Sequence, residues 1–300
     1  MNLWQPLHNY LLQGQQVALV LVKEARGSVP REAGAGLVVL PDGGFHGTIG
    51  GGALEWEALQ HAAGFLKSPG QLDKQKIPLG PNLGQCCGGH VVLTFEKWSP
   101  ERLEEAKELA EAEANGLFSV KSKILENQVK RELHSHSTDE FFGVEQIPVA
   151  IFGAGHVGKA LILALALAPT RITWVDTRTD VFPETCPKNV SMNAPQRPED
   201  MMAHLVDNTL IIILTHSHAL DLSLLETALK RGFPFVGVIG SETKRARFVS
   251  RLQQAGMSAK LASSFHCPIG IPGIIGKEPS VIAASVTAQL LMEKSMLVEN

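Results

Sequence analysis

Residues 149–158 read VAIFGAGHVG. A short apolar run leads into Gly153, Gly155 and Gly158, and a helical pattern follows. In such a turn the first glycine permits a tight reversal, the second lets the backbone approach a pyrophosphate, and the third lets helix and strand pack closely. The helix N-terminus, beginning at His156, then faces an anion with unpaired N–H groups and partial positive charge. An acid is expected about twenty residues later, at the end of the next strand. Asp176 stands there, in WVDTR. The same stretch also reads as a fold element whose nucleotide site is unused or altered, because a fold does not fix a function.

Working outward, strands are expected at 149–152, 171–176, 209–215 and 235–239. Helices are expected at 156–168, 198–206, 219–231, 242–255 and 279–293. This alternation predicts an α/β fold: a Rossmann-like doubly wound parallel sheet over 148–294, followed by a short tail, 295–300. Upstream, residues 1–98 predict a smaller N-terminal α/β domain. It has a strand at 16–23, a hairpin of 36–40 and 45–49 around Asp42-Gly43-Gly44, a helix at 53–66 and a strand at 90–96. Between the two, 99–147 reads as a charged helix, ERLEEAKELAEAEANG, and a linker, LHSHSTDEFFGVEQIP.

The bulk properties narrow the function. The 300 residues are 44% hydrophobic and carry a formal net charge of −3. No broad basic surface is implied, which argues against a nucleic-acid partner. No run of about twenty apolar residues is present, so no membrane span is expected. The first residues lack the marks of a signal peptide, which makes the cytoplasm the expected location. The four cysteines, Cys86, Cys87, Cys186 and Cys267, form no CxxC pair. Neither a disulfide framework nor a structural zinc site is expected, and Cys186 and Cys267 read as structural.

Several further stretches carry chemistry. Arg26-Gly27-Ser28-Val29-Pro30-Arg31 is a stiff basic loop, and its arginine forks suit phosphate or an oxyanion. Gly50-Gly51-Gly52, between strand and helix, is a second anion cradle or a well-capped tight turn. Cys86-Cys87, enclosed by Gly84, Gly88 and Gly89, places sulfur beside exposed backbone amides, where a thiol can act as ligand or nucleophile. The alternative is two small apolar residues in a crowded turn. Thr215-His216-Ser217-His218 follows an apolar strand and would lie at the functional rim of the sheet with Asp221. That cluster could bind a metal, a pterin edge or a phosphate, or Ser217 or Asp221 could cap the next helix. Ser241 reads as a helix cap, and Lys244 and Arg245 in the first turn imply a bound anion or a solvated face.

Taken in order, GSVPREAGAGLVV, GTIGGGALE, LGPNLGQCCGG, VAIFGAGHVGKAL, WVDTR, THSHALD, GVIGSETKRARF and PIGIPGIIGKEPSVIA resemble the XdhC/CoxI family. Specifically, they resemble the XdhC-type accessory proteins of xanthine dehydrogenase. The resemblance covers nearly the whole chain. It departs at Ser217, where an acid is common, which weakens any metal role for that position. The resemblance implies a carrier and not an enzyme. Such a protein binds molybdenum cofactor, shelters it while a terminal sulfur ligand is installed, and promotes its insertion into apo xanthine dehydrogenase. Implied partners are a cysteine desulfurase, the cofactor-holding subunit of xanthine dehydrogenase, and further copies of the chain. On this reading Cys86 or Cys87 would contact the molybdenum, and the cleft between the domains would receive the guest. Two other functions fit the residues. One is an NAD(P)-dependent oxidoreductase with His216 or His218 as general base. The other is a regulatory interaction protein with a vestigial nucleotide site.

Overall fold

The computed structural model describes residues 2–80, 88–125, 127–134 and 140–298. By contacts the chain divides into two compact units, Met1–Glu145 and Gln146–Asn300.

In the first unit, helix α1 (Trp4–Leu12) precedes strands β1 (Val17–Arg26), β2 (Gly36–Val39) and β3 (Phe45–Thr48). Helix α2 (Gly52–Lys67), strands β4 (Leu72–Pro78) and β5 (His90–Trp98), and helix α3 (Leu103–Ala114) follow. The strands form an antiparallel sheet in the order β3-β2-β1-β5-β4. Side chains alternate across a strand, so β1 serves two cores. Ala18, Val20 and Val22 pack with Leu54, Ala58 and Ala62 of α2. Val17, Leu19 and Leu21 pack with Trp4, Leu7 and Leu11 of α1 and with Ala106, Leu109 and Ala110 of α3.

The expected linker is instead part of this unit. Strands β6 (Phe118–Leu125), β7 (Gln128–Leu133) and β8 (Glu140–Phe142) form a second antiparallel sheet, and Val120 and Phe142 enter the α1–α3 core. Buried charges hold it in place. Arg131 of β7 donates to both carboxylate oxygens of Glu96 on β5, at 2.7 Å each, and to Glu140 of β8 at 2.8 Å. Glu113, in the charged helix, accepts from the amides of Leu3, Trp4 and Gln5 and so caps α1. The N-terminal unit, residues 1–145, therefore stays the smaller of the two, though only slightly smaller than 146–300.

The second unit contains β9 (Ile147–Phe152), α4 (His156–Leu165), β10 (Thr170–Val175), β11 (Val190–Asn193) and β12 (Leu210–Ile213). It continues with α5 (His218–Arg231), β13 (Phe235–Val238), α6 (Glu242–Gln254), α7 (Ala259–Ala262) and α8 (Pro279–Val298). All pairings are parallel, in the order β11-β10-β9-β12-β13. Val149, Ile151, Leu210 and Ile212 face α4 and α8 through Leu161, Leu165, Val286 and Leu290. Ala150, Phe152, Ile211 and Ile213 face α5 and α6 through Leu224, Leu225, Phe248 and Leu252. Helices thus cover both faces, as expected for a doubly wound sheet. Strand order reverses between β9 and β12, which is where such sheets bind ligands. The helix expected at 198–206 is a short 3-10 turn, Pro198–His204.

Candidate functional site

In the first unit, two glycine-rich segments meet one basic loop. Arg26 ends β1 opposite His90 of β5. A Cβ at Gly89 would stand 2.4 Å from the Arg26 carbonyl oxygen and 2.6 Å from that of Ser28. A Cβ at Gly50 would stand 2.2 Å from Cβ of Pro30. Only glycine permits these approaches, so the 26–31 loop lies between the glycine turn at 50–52 and the glycine pair at 88–89. Arg26 and Arg31 are both exposed. Pro30, Arg31 and Thr48 also line a cavity of about 550 Å³, whose other walls include Gly34, Glu113 and Phe142. Cys86 and Cys87 lie outside the described residues.

The turn at Gly50-Gly51-Gly52 already holds an anion. Glu55, in the first turn of α2, accepts from the Thr48 hydroxyl at 2.6 Å, from the Ile49 amide at 3.0 Å and from the Gly51 amide at 3.3 Å. The cradle read from the sequence is filled by the chain's own carboxylate. What stays open is the space above Gly51 and Gly52, where an added Cβ would meet nothing within 4 Å.

The glycine turn of the second unit is built differently. A Cβ at Gly158 would lie 2.3 Å from the Gly153 carbonyl oxygen, and one at Gly153 would lie 2.4 Å from that of Leu214. These two glycines are fixed by packing. Gly155 has open space at its Cβ position, and α4 has no acid in its first turn. Asp176 is buried and accepts from the Ala154 amide at 2.8 Å, which fastens β10 to the glycine turn. It also accepts from the Arg178 amide and from two nitrogens of its guanidinium, at 2.9–3.0 Å. Burial alone would push this carboxyl up. The Arg178 side chain and the two amides outweigh burial and hold it below the ordinary aspartate range. The acid expected from the sequence at this strand end is thus engaged inside the protein. The cavity beside it, among Pro198, His216, Leu220 and Leu224, measures about 10 Å³.

At the rim after β12, the Asp221 carboxylate is fully buried. It accepts from the Thr215 amide at 3.0 Å, from the Thr215 hydroxyl at 2.7 Å and from Lys244 Nζ at 2.6 Å. Lys244 also donates to the Ile239 carbonyl at 2.8 Å. The residue expected to meet a bound anion is therefore turned inward, joining two rim loops. Ser241 and Ser217 cap α6 and α5 by accepting from the amides of Lys244 and Leu220. His156, His216 and His218 are exposed. Among the described residues no three His, Cys, Asp or Glu side chains gather as a metal site. Arg245 stands apart from Lys244, with Nη2 donating to the Ser263 carbonyl at 3.0 Å.

Two roles escaped the pattern reading. Arg178 neutralises Asp176, and the spacing Asp-x-Arg was the available signal. Glu55 fills the first glycine turn, although a first-turn glutamate ordinarily needs only the helix dipole to explain it.

A glycine turn at the switch point of a 3-2-1-4-5 parallel sheet makes the second unit a Rossmann domain, joined to an antiparallel unit with a basic loop. Residues 149–290 match the family model described as the XdhC Rossmann domain, and residues 11–73 match that of the XdhC and CoxI family. The chain belongs to this family. It is 24% identical to the molybdenum cofactor insertion chaperone PaoD of Escherichia coli (strain K12), over 93% of this chain and 84% of that protein. It is 22% identical to the uncharacterized protein YqeB of the same organism, over 98% of this chain but 47% of YqeB, so it spans about half that relative's length. A crystal structure described as a xanthine dehydrogenase from Bacillus halodurans shares the fold. The TM-score is 0.78 at 18% identity, covering 99% of this chain and 96% of the other.

Proposed function

We propose that this protein is a carrier that binds molybdenum cofactor and delivers it to an apoenzyme of the xanthine dehydrogenase type. The observation that carries this reading is the meeting of the 26–31 loop, the glycine turn at 50–52 and Gly88–Gly89 beside a cavity of about 550 Å³. A phosphorylated pterin needs charge-assisted donors and room for a bulky ring. Arg26 and Arg31 would supply the donors, since both are exposed at that place. The open space above Gly51 and Gly52 would let the guest approach the backbone. The name of the relative PaoD supports the same reading. Cys86 or Cys87 would contact the molybdenum while a cysteine desulfurase supplies sulfur. Self-association belongs to the proposal too. Exposed Leu163 and Leu167, with Met292 of α8, offer apolar surface for it.

The test is expression in a host that makes the cofactor, followed by metal and pterin analysis of the purified protein. Molybdenum and pterin should copurify in equal amounts and pass to the apoenzyme, restoring its activity. Arg31→Ala should lower the retained cofactor about tenfold, the equivalent of one charge-assisted hydrogen bond. Protein that neither retains cofactor nor takes it up anaerobically would overturn the proposal.

A nicotinamide-dependent oxidoreductase has less support. Asp176, the acid such an enzyme would present to a cofactor ribose, is engaged by Arg178 and Ala154, and the adjoining cavity is about 10 Å³.

A further inference from the structure

The second unit holds a cavity of about 640 Å³ lined by none of the glycine-turn residues. That volume lies in the range of small-molecule sites. Its walls are the first turn of α6, the segment 263–274 and Ser285 of α8. Glu242 and Arg245 stand three residues apart on α6 and both line it. Residues so spaced on a helix are neighbours and normally pair. Among the described residues neither forms an ion pair, with the other or with anything else.

The Arg245 guanidinium lies over the Phe265 ring, 5.5 Å from its centroid, and one nitrogen is anchored on the Ser263 carbonyl. Four of its five N–H donors stay available. The amides of Gly270 and Ile271 are taken by Gln289 and Ser285, at 2.7 Å each, and Pro268 and Pro272 have none to give. His266, also in the wall, is stacked on Phe235 with centroids 4.6 Å apart and planes 20° apart. It is held as a flat, exposed platform.

We infer that this cavity binds a fused 2-aminopyrimidin-4-one ring. The Glu242 carboxylate would accept from the ring N–H and the 2-amino group, a fork that matches the carboxylate's two oxygens. Arg245 would donate to the ring carbonyl, and His266 would stack on the ring face. A zwitterionic amino acid could use the two charges but not the platform. The ring can arrive as a free guanine nucleoside or as the pterin of a cofactor molecule bound here separately from one at the cavity of the first unit. The second source rests on the carrier reading and the first does not.

Calorimetric titration of the full chain with guanosine, 6-hydroxymethylpterin and inosine tests the inference. Inosine lacks the 2-amino group. At least one amino-bearing ring should bind about tenfold or more tighter than inosine, the worth of one charge-assisted hydrogen bond. Glu242→Gln should erase that preference, and Arg245→Met should weaken binding of the preferred ring. Both side chains are accessible, so folding should persist, checked by an unchanged melting temperature. Saturation by guanosine alone supports a free nucleoside, and saturation by the pterin alone supports the cofactor ring. No binding of any ring, equal binding of all three, or binding that both variants leave intact would overturn the inference. Molybdenum retention is measured separately. Normal retention without ring binding sinks this site and spares the carrier reading, whereas ring binding without retention does the reverse.

Discussion

Each unit has a strand-to-helix turn made of three glycines, and the two turns treat an anion in opposite ways. At Gly50–Gly52 the carboxylate comes from the helix that follows, and Glu55 occupies the turn's own amides. At Gly153–Gly158 the carboxylate comes from the neighbouring strand. Asp176 takes one amide of the turn, at Ala154, and leaves the start of α4 without an acid. A glycine-rich turn before a helix is therefore not in itself an anion site. The origin of the nearest internal carboxylate decides whether the amides are spoken for.

The sharpest way to break this comparison is steric. Gly158→Ala places a methyl 2.3 Å from a carbonyl oxygen, and a loss of about 3 kcal/mol is expected in thermal unfolding. Gly52→Ala meets no neighbour and suffers only its positive φ of 65°, so about 1 kcal/mol is expected. Equal losses would mean that the close approach at Gly158 relaxes at little cost.

Next come the carboxylates. Glu55→Ala leaves two amides and a hydroxyl without their acceptor, a cost of about 2 kcal/mol. The emptied turn should then accept inorganic phosphate, read as a melting temperature that rises with phosphate in the variant and not in the wild type. If phosphate has no such effect, the turn was never shaped for an anion.

Asp176 makes its mark through pH. Its pKa is lowered on folding, so its contribution is complete above the ordinary aspartate range, near pH 4, and fades as pH falls through the folded value. Asp176→Asn should be less stable than wild type at neutral pH, and the two should converge in acid. A constant gap between their melting temperatures would show that the charge is irrelevant.

The smallest effect belongs to Gly155→Ala. With open space and a φ of −75°, stability should change by less than about 0.5 kcal/mol. Any weakening of pyrophosphate binding by that methyl would identify the second turn as an occupied site. Unchanged binding supports a vestigial one.

The Rossmann domain was legible because its strands are buried on both faces and read as unbroken apolar runs, as in LIII at 210–213. Strands β4, β6 and β7 were not legible. LDKQKIP and FSVKSKIL carry exposed lysines on either side of a polar residue, Gln75 or Ser122, and a charged, polar stretch reads as solvated. Arg131, Glu96 and Glu113 defeat that rule, because their charges are satisfied indoors. Of the candidate site, each motif could be named from the sequence. Its assembly could not, since contact between Pro30 and Gly50, or between Arg26 and Gly89, is set by strand pairing across distant residues. Nor could the internal partners of Asp176, Lys244 and Gly51 be foreseen, and these decide which motifs remain available.

The Arg131 clamp has a bearing on how this chain can be dissected. A fragment ending at Trp98 would keep Glu96 on its sheet with no guanidinium to meet it, and would lay bare the Trp4 and Trp98 surfaces that α3 and β8 cover. Stranding one member of a buried ion pair costs about 3–5 kcal/mol, much of the net stability of a small domain. The smallest autonomous piece at this end of the polypeptide is therefore 1–145, and anyone cutting at the last strand of the five-stranded sheet should recover an insoluble product.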